Sequence, residues 1–98
     1  MRIFTKKTII IFEKKHANAS VAIREWYTKT NKANWYSFTD IKNTFNSVDH
    51  VDNDRFVFNL GGNNYRLIAI VRFNIGRVYI RFVGTHAEYD KIIDIKNI

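Results

Sequence analysis

Apolar residues in the first half of the chain recur every three to four positions, which is the spacing of an α-helix. A lysine-rich stretch over residues 6–16 carries Ile9 and Phe12 on one side and therefore predicts a first helix. Asn18 is a suitable N-cap for a second helix. Its buried stripe comprises Ala19, Ala22, Ile23, Trp26 and Thr30.

Shorter segments complete the first half of the chain. Residues 1–4 are long enough for a short edge strand. The run from Ser37 to Asp40 resembles a capping box with Asp in place of Glu, and it predicts a short third helix that ends near Phe45. The polar segment after that helix predicts a loop in which His50 is exposed to solvent.

From Asp54 onward the period of the pattern changes to two, which is typical of β-strands. Three strands are predicted over residues 55–60, 65–73 and 77–83, with turns at Gly61-Gly62 and at Ile75-Gly76. Glycine is the residue that such hairpin turns favour. The three strands should therefore form an antiparallel meander.

The length of the hairpin loops decides which side chains share a face, and loops of two residues are assumed for both turns. One face is then almost entirely apolar and is predicted to pack on the helices: Phe56, Phe58, Tyr65, Leu67, Ala69, Val71, Phe73, Val78, Ile80 and Phe82. The opposite face carries every strand arginine: Arg55, Val57, Asn59, Arg66, Ile68, Ile70, Arg72, Arg77, Tyr79, Arg81 and Val83. The expected fold class is α+β, with helices on one face and a basic surface on the other.

Composition narrows the function. The 98 residues suggest a single domain over residues 1–98, and 16 Lys and Arg against 9 acidic residues give a net charge of +7. This charge favours a polyanionic partner, with nucleic acid first and an acidic protein or a membrane surface behind it. The absence of cysteine excludes disulfides, thiol nucleophiles and Cys-based zinc sites. Since no apolar run is long enough for a membrane span or a signal peptide, a cytoplasmic protein is expected.

The chemistry available at the end of the last strand suits RNA cleavage through the 2′-hydroxyl, which needs a base, an acid and a cation for the phosphorane. His86 can carry protons near neutral pH. Arg66 and Arg81 can stabilise the phosphorane, and Tyr89 can stack on a base or form a hydrogen bond. Further contacts to RNA are expected from Arg55, Asn59, Arg72, Arg77 and Tyr79.

A structural interpretation of the same residues stays open. The arginines can pair with Asp52, Asp54 or Glu88 on a solvated face. In this interpretation His86 is a structural hydrogen-bonding residue, and Tyr89 covers the core. The three histidines show no metal-ligand spacing, so neither a metal site nor a cofactor is expected.

Several runs of the sequence resemble the HigB family of toxins, which belong to the RelE-like superfamily of type II toxin–antitoxin systems. The most specific run is Thr85-His86-Ala87-Glu88-Tyr89-Asp90. The others are Asp54 to Leu60, Asn64 to Ile68, Val78 to Ile92, Ile3-Phe4, Trp26-Tyr27, and Trp35 to Phe45. Together they cover nearly the whole chain.

The resemblance implies a RelE-like fold, with two to three N-terminal helices on one face of a small twisted, mostly antiparallel sheet. It also implies a metal-independent mRNA endoribonuclease that acts in the A site of the 30S subunit and is silenced by a HigA-type helix-turn-helix antitoxin. By its motif, Arg66 corresponds to the superfamily's strand arginine. His86 falls where relatives carry a basic residue, and Tyr89 matches their C-terminal aromatic residue. Which residue is the general acid and which is the general base stays open.

Two other hypotheses use the same basic face. In one, the protein is a non-catalytic module that binds RNA or the ribosome. In the other, the face mainly holds an acidic protein such as the antitoxin. No role is assigned to the residues after Asp90.

Overall fold

The computed structural model describes residues 1–98 and confirms the α+β class, with helices packed against one five-stranded mixed sheet. The strands are β1 (Arg2–Phe4), β2 (Val48–Val51), β3 (Arg55–Leu60), β4 (Tyr65–Arg72) and β5 (Arg77–Thr85). The helices are α1 (Lys6–Lys15), α2 (Ser20–Lys32), α3 (Phe38–Thr44) and α4 (His86–Asp90). The strand order is β1-β5-β4-β3-β2, with β1 parallel to β5 and all other pairs antiparallel.

The predicted helices are present, but the predicted N-cap of α2 is wrong, and Ser37 is the N-cap of α3 without the predicted capping box. A 3₁₀ turn over Ala17–Ala19 precedes α2, so the helix begins at Ser20 and Asn18 is not its N-cap. Ser37 precedes α3 but forms no side-chain capping bond. Instead the Tyr36 main-chain N–H donates to Asp40 Oδ2 at 2.8 Å, so the carboxylate orders the approach to the helix.

The prediction of a loop around His50 is also wrong, because β2 occupies this segment and forms an edge of the sheet, although His50 itself is exposed as predicted. Val48 is buried, and the ring of His50 stacks on Phe56 with centroids 4.5 Å apart. Two of the four residues of β2 are polar, which is why the pattern indicates a loop. The segment forms a strand because its backbone pairs with β3, and the local pattern does not indicate this pairing.

Both hairpin loops contain four residues instead of two, since Leu60 pairs with Tyr65 and Arg72 with Arg77. Gly61, Gly62 and Gly76 adopt the left-handed φ values that glycine tolerates. Because four and two are both even, the longer loops leave the predicted faces unchanged over β3, β4 and the first half of β5.

The predicted faces are wrong in the second half of β5, where the register shifts. Ile80 pairs with Ala69 and Phe82 with Ile68, so Arg81 has no partner in the ladder. This β-bulge moves Phe82 to the arginine-bearing side and turns Val83 toward the helices, the reverse of the prediction.

The main core lies between the sheet and helices α1 to α3, and its centre is aromatic. Phe58 is fully buried and contacts Trp26 and Phe45, each with ring centroids 5.5 Å away. The cluster comprises Ile9, Phe12, Ala19, Ile23, Trp26, Trp35, Ile41, Val48, Phe56, Phe58, Leu60, Leu67, Ala69, Val71, Val78 and Ile80. The predicted burial of Trp26 is confirmed, and Trp35 lies in the same cluster.

The opposite side of the sheet, here called the outer face, is partly covered by residues 91–98, here called the C-terminal segment. Val57 and Ile68 pair with each other on the outer face, yet they are only 2% and 0% exposed. The main-chain oxygens of Lys96 and Ile98 accept hydrogen bonds from Asn53 Nδ2 (3.3 Å) and Arg55 Nη2 (2.8 Å), respectively. These bonds hold the segment on the outer face, next to the start of β3.

Candidate active site

Arg66 lies on the outer face of β4, where it is half-buried and has Asn59 and Gly84 as its neighbours on the adjacent strands. Its Nη1 atom donates to the main-chain oxygens of Asn63 (2.8 Å) and Tyr65 (3.2 Å). These bonds fix the guanidinium against the β3–β4 loop and leave Nη2 and Nε available to a ligand. Gly84 offers no side chain beside it.

Helix α4 begins directly at the end of β5 because a capping box starts it there. Glu88 N–H donates to Thr85 Oγ1 at 3.1 Å, and Thr85 N–H donates to Glu88 Oε1 at 2.9 Å. The His86 main-chain N–H then donates to the Asn64 main-chain oxygen at 3.0 Å. These bonds tie the start of α4 to the same loop that fixes the Arg66 guanidinium.

Tyr89 and Arg66 meet although they are distant in sequence. The guanidinium carbon of Arg66 lies 5.7 Å from the centroid of the Tyr89 ring, which is the geometry of a cation–π contact. Tyr89 is half-buried, and it follows His86 by three positions on α4, so the two side chains are neighbours on the helix surface. Arg66, Gly84, His86 and Tyr89 are called the rim site below.

His86 is oriented by a carboxylate one helical turn away. Its Nδ1 atom lies 2.8 Å from Asp90 Oδ2, and 53% of its side chain is exposed. With Nδ1–H donated to the carboxylate, the neutral ring carries its lone pair on Nε2, the atom that is free to meet a substrate. Asp90 therefore acts as a positioning residue that selects the tautomer of His86.

The ring of Phe82 lies next to the rim site. A Cβ atom placed on Gly84 would lie 2.4 Å from Phe82 Cζ, so the ring occupies the space that any side chain at position 84 would need. Because position 84 is glycine, the Phe82 ring can lie over it, next to the strand position that pairs with Arg66. The β-bulge makes this possible, since it places Phe82 on the outer face.

The electrostatics of α4 reinforce its capping box. The hydrogen bond from the Thr85 main chain lowers the pKa of Glu88 below its ordinary value, and the Thr85 hydroxyl and the charges of Lys15 and His16 act in the same direction. The ionised carboxylate thus stabilises the first turn of the helix that carries His86 and Tyr89.

The other predicted RNA ligands are spread along the outer face. Arg81 is exposed at the bulge, three residues before Gly84. Arg72 pairs with Asp54 at 2.6 Å, the one strand arginine for which the structural alternative of an acidic partner is realised. Arg55 donates to the main-chain oxygens of Asn53 and Ile98, both at 2.8 Å, so its guanidinium is engaged by the protein itself.

Arg77 and Tyr79 lie near β1, at the opposite end of β5 from the rim site. The parallel pairing places Arg2 beside Arg77 and Phe4 beside Tyr79. The rings of Phe4 and Tyr79 are stacked with centroids 5.1 Å apart. The sequence interpretation missed the contribution of Arg2 and Phe4, since a parallel pairing between the two ends of a chain leaves no local signal.

Three other residues of the rim site region were also missed. Thr85 and Glu88 have the spacing of a capping box, and Asp90 follows His86 at the four-residue spacing of a helix, so local signals existed. Gly84 was interpreted only as the end of a strand.

No cluster of three or more His, Asp or Glu side chains is arranged to hold a metal ion. No helix has both the length and the apolar character needed to cross a membrane.

Comparison with known proteins gives one family. Residues 19–92 match the sequence model of the HigB toxin, described as the RelE-like toxic component of a toxin-antitoxin system. The chain is 28% identical over 94 residues to the mRNA interferase HigB of Escherichia coli O6:H1, covering 94% of this chain and 91% of that protein. It is 44% identical over 52 residues to the mRNA interferase toxin HigB of Escherichia coli (strain K12), covering 51% of this chain and 50% of that protein. The matches confirm the resemblance noted in the sequence.

Proposed function

The chain belongs to the HigB family of RelE-like toxins, and from this membership and the rim site we propose that it is a ribosome-dependent mRNA endoribonuclease. The observation that carries the proposal is the convergence of Arg66, Tyr89 and His86 at one end of the outer face. The mRNA interferase names of its relatives support the same reaction. As a toxin of a toxin-antitoxin system, its partners are mRNA and an antitoxin.

In the proposed reaction the 2′-oxygen of one nucleotide attacks the adjacent phosphorus while the bond to the 5′-oxygen breaks. The 2′-hydroxyl loses its proton to a base, and an acid gives a proton to the leaving 5′-oxygen, so protons balance. The products are a 2′,3′-cyclic phosphate and a 5′-hydroxyl. His86 takes part through Nε2, either as the base that accepts the 2′-hydroxyl proton or as the acid that protonates the 5′-oxygen.

Arg66 supplies the positive charge for the phosphorane in this proposal. Its Nη1 atom is held by the loop carbonyls, so the guanidinium does not have to reorganise when charge develops on the phosphate. Tyr89 lies against the guanidinium and offers a ring and a hydroxyl to a splayed base. Arg81, exposed at the bulge, adds a second cation along the strand, and Asn59 is positioned opposite Arg66 to contact RNA.

The openness of the rim site supports the dependence on a ribosome. None of the three surface cavities is lined by Arg66, His86 or Tyr89, so the rim site is not enclosed by a cleft that would hold the scissile nucleotides by itself. A message held in the A site of the 30S subunit would arrive already positioned. The reaction would then take place in the cytoplasm, and a HigA-type antitoxin would prevent it by covering the site or by blocking docking.

The test is single-turnover cleavage of a message on purified ribosomes, with the cut mapped by primer extension. We expect His86→Ala to lower the rate by about 10²-fold or more and Arg66→Gln by roughly 10²- to 10³-fold, with unchanged thermal unfolding. His50→Gln, a change on the helix side of the sheet, is the matched control and should cleave normally. A message with a 2′-deoxy nucleotide at the cut position should stay intact.

The pH profile separates the two roles of His86. A rate that rises with pH near neutrality, with this dependence lost in His86→Ala, identifies His86 as the base, and a rate that falls in the same way identifies it as the acid. Wild-type cleavage by a folded His86→Ala protein would remove His86 from the mechanism. Intact messages with the wild-type protein, despite RNA binding, would favour the non-catalytic module.

A further inference from the structure

A second group of side chains on the outer face forms a compact cationic and aromatic cluster at the β1–β5 edge of the sheet. Arg2, Phe4, Arg77 and Tyr79, here called the edge platform, occupy two rows of the parallel ladder on either side of the Ile3–Val78 row. The guanidinium carbons of Arg2 and Arg77 lie 5.3 Å and 5.4 Å from the centroid of the Phe4 ring. The Phe4 and Tyr79 rings are stacked with an interplanar angle of 19°.

The edge platform concentrates positive charge without an acidic partner. The structure contains four ion pairs, and neither Arg2 nor Arg77 takes part in any of them. Arg77 Nη1 instead contacts the Tyr79 hydroxyl oxygen at 3.4 Å. Two exposed guanidinium groups that converge on one aromatic ring repel each other, so binding of an anion between or beside them lowers the electrostatic energy.

We propose that the edge platform is a second RNA subsite, which stacks a base against Tyr79 and Phe4 and contacts the flanking phosphates through Arg2 and Arg77. Aromatic rings interleaved with cations are the combination by which proteins hold single-stranded nucleic acid. The inference rests on the proposed function, because cleavage at the rim site defines where the bound RNA strand leads from the edge platform. It adds a binding site that the rim site alone does not contain.

The position of the edge platform relative to the rim site fits one continuous strand. Tyr79 and Gly84 are separated by five residues of β5, or about 16 Å at the rise of a β-strand. Arg81 is exposed between them. An RNA strand that follows β5 would therefore pass from the edge platform over Arg81 to Arg66 and His86, and the platform would fix its register relative to the cut.

The stacked rings favour RNA over an acidic protein segment as the ligand. An acidic segment would satisfy Arg2 and Arg77 but would gain little from two stacked rings beside them. A nucleotide uses both features at once, because it presents a planar base next to a phosphate. The same face also carries the proposed cleavage chemistry.

The experiment measures binding of a short fluorescent oligouridylate to the full chain by anisotropy, without ribosomes, over a series of salt concentrations. We expect the double change Arg2→Gln and Arg77→Gln to weaken binding and to reduce the salt slope by about 1.4, or roughly 0.7 for each phosphate that is no longer neutralised. Tyr79→Leu should weaken binding roughly tenfold while it keeps an apolar side chain in the strand.

Matched controls separate the edge platform from general charge. The double change Lys7→Gln and Lys32→Gln removes the same charge from exposed positions on α1 and α2, and Tyr36→Leu removes an exposed aromatic ring outside the outer face. These variants should bind as the wild type does. If the lysine pair weakens binding as much as the arginine pair, or if folded arginine variants bind normally, the subsite does not exist. Normal RNA binding with weakened antitoxin binding would identify the platform as a protein surface and would also overturn the proposal.

Cleavage on ribosomes distinguishes failure of this inference from failure of the proposed function. The double change Arg2→Gln and Arg77→Gln should raise the toxin concentration needed for half-maximal cleavage, with the maximal rate little changed. It should also shift the cut position or spread it over neighbouring nucleotides. His86→Ala should do the opposite: it should lower the maximal rate and leave oligouridylate binding intact. Each proposal can therefore fail while the other stands.

Discussion

The two faces of the sheet differ in how they are stabilised. The helix face is covered by three helices and is filled with large rings around Phe58. The outer face has no helix layer: Val57 and Ile68 are buried at its centre, and the C-terminal segment is bonded to Arg55. At its two ends it exposes charged and aromatic side chains. The comparison teaches that the helix face provides most of the stability of the fold, so the outer face can retain charges that repel one another.

The arginines of the outer face differ in whether other groups of the protein bind them. Arg55 and Arg72 bind parts of the protein itself, namely the main chain and Asp54. Arg66 is partly held by loop carbonyls, whereas Arg77 has an aromatic neighbour and no carboxylate. As RNA ligands, Arg55 and Arg72 stay predictions, and each would have to exchange a partner for a phosphate.

The largest effect that distinguishes the faces is expected from Phe58→Ala in the helix-side core. Loss of a fully buried ring that contacts Trp26 and Phe45 should lower the free energy of unfolding by about 3–5 kcal/mol. Urea denaturation followed by tryptophan fluorescence measures the change, with Phe58→Leu as the milder control. A decrease below about 1 kcal/mol would show that the helix face is not the main source of stability.

A smaller decrease in stability is expected on the outer face from Ile68→Ala, at about 2–3 kcal/mol, because the C-terminal segment can settle into part of the space. If that segment covers Ile68, then Ile95→Ala should be coupled to it, and the two decreases in unfolding free energy should fail to add by about 0.5 kcal/mol or more. Ile93 is 99% exposed, so Ile93→Ala is the control and should change nothing. Simple additivity would mean that the segment does not pack on Ile68.

The smallest effect concerns the capping box of α4, which depends on local hydrogen bonds and not on packing against either face of the sheet. Because the folded pKa of Glu88 is lowered, its stabilisation is complete above the ordinary carboxyl pKa and is lost as pH falls through the lowered value. As pH falls below the ordinary carboxyl pKa, the wild type should therefore lose a small stabilisation, reduced by solvent screening of this exposed side chain, that Glu88→Gln does not lose. Thermal unfolding of the two proteins over this range measures the difference. Identical pH dependence would contradict the role of the carboxylate.

Much of the fold was predictable because it follows from local periodicity. The stripe through Ile23 and Trp26 indicated a helix with one buried side, and the alternation of β3 and β4 indicated which residues face the core. Errors arose where a local signal was weak or misleading. β2 carries two polar residues out of four, Asn18 is a good cap that α2 does not use, and Ser37 caps α3 without the predicted capping box.

The rim site was predictable in composition but not in arrangement. The turn and strand order indicated that Arg66 and the β5 end lie close together, since β4 and β5 form a hairpin. The contact between Arg66 and Tyr89, the orientation of His86 by Asp90, and the ring of Phe82 over Gly84 depend on α4 and on the bulge. The capping signal at Thr85 and Glu88 would have indicated α4 in advance.

The sequence by itself determined most of the helices and strands, the polarity of the faces over β3, β4 and the first half of β5, and the family to which the chain belongs, because these properties depend on residue order and side-chain chemistry alone. The tertiary structure decided that Phe82 lies on the outer face, that the C-terminal segment is bonded to Arg55, and that β1 places Arg2 and Phe4 beside Arg77 and Tyr79. The physical reason is that these features arise from packing between residues distant in the chain. Their energies depend on how all the elements fit together, and no local pattern records that fit.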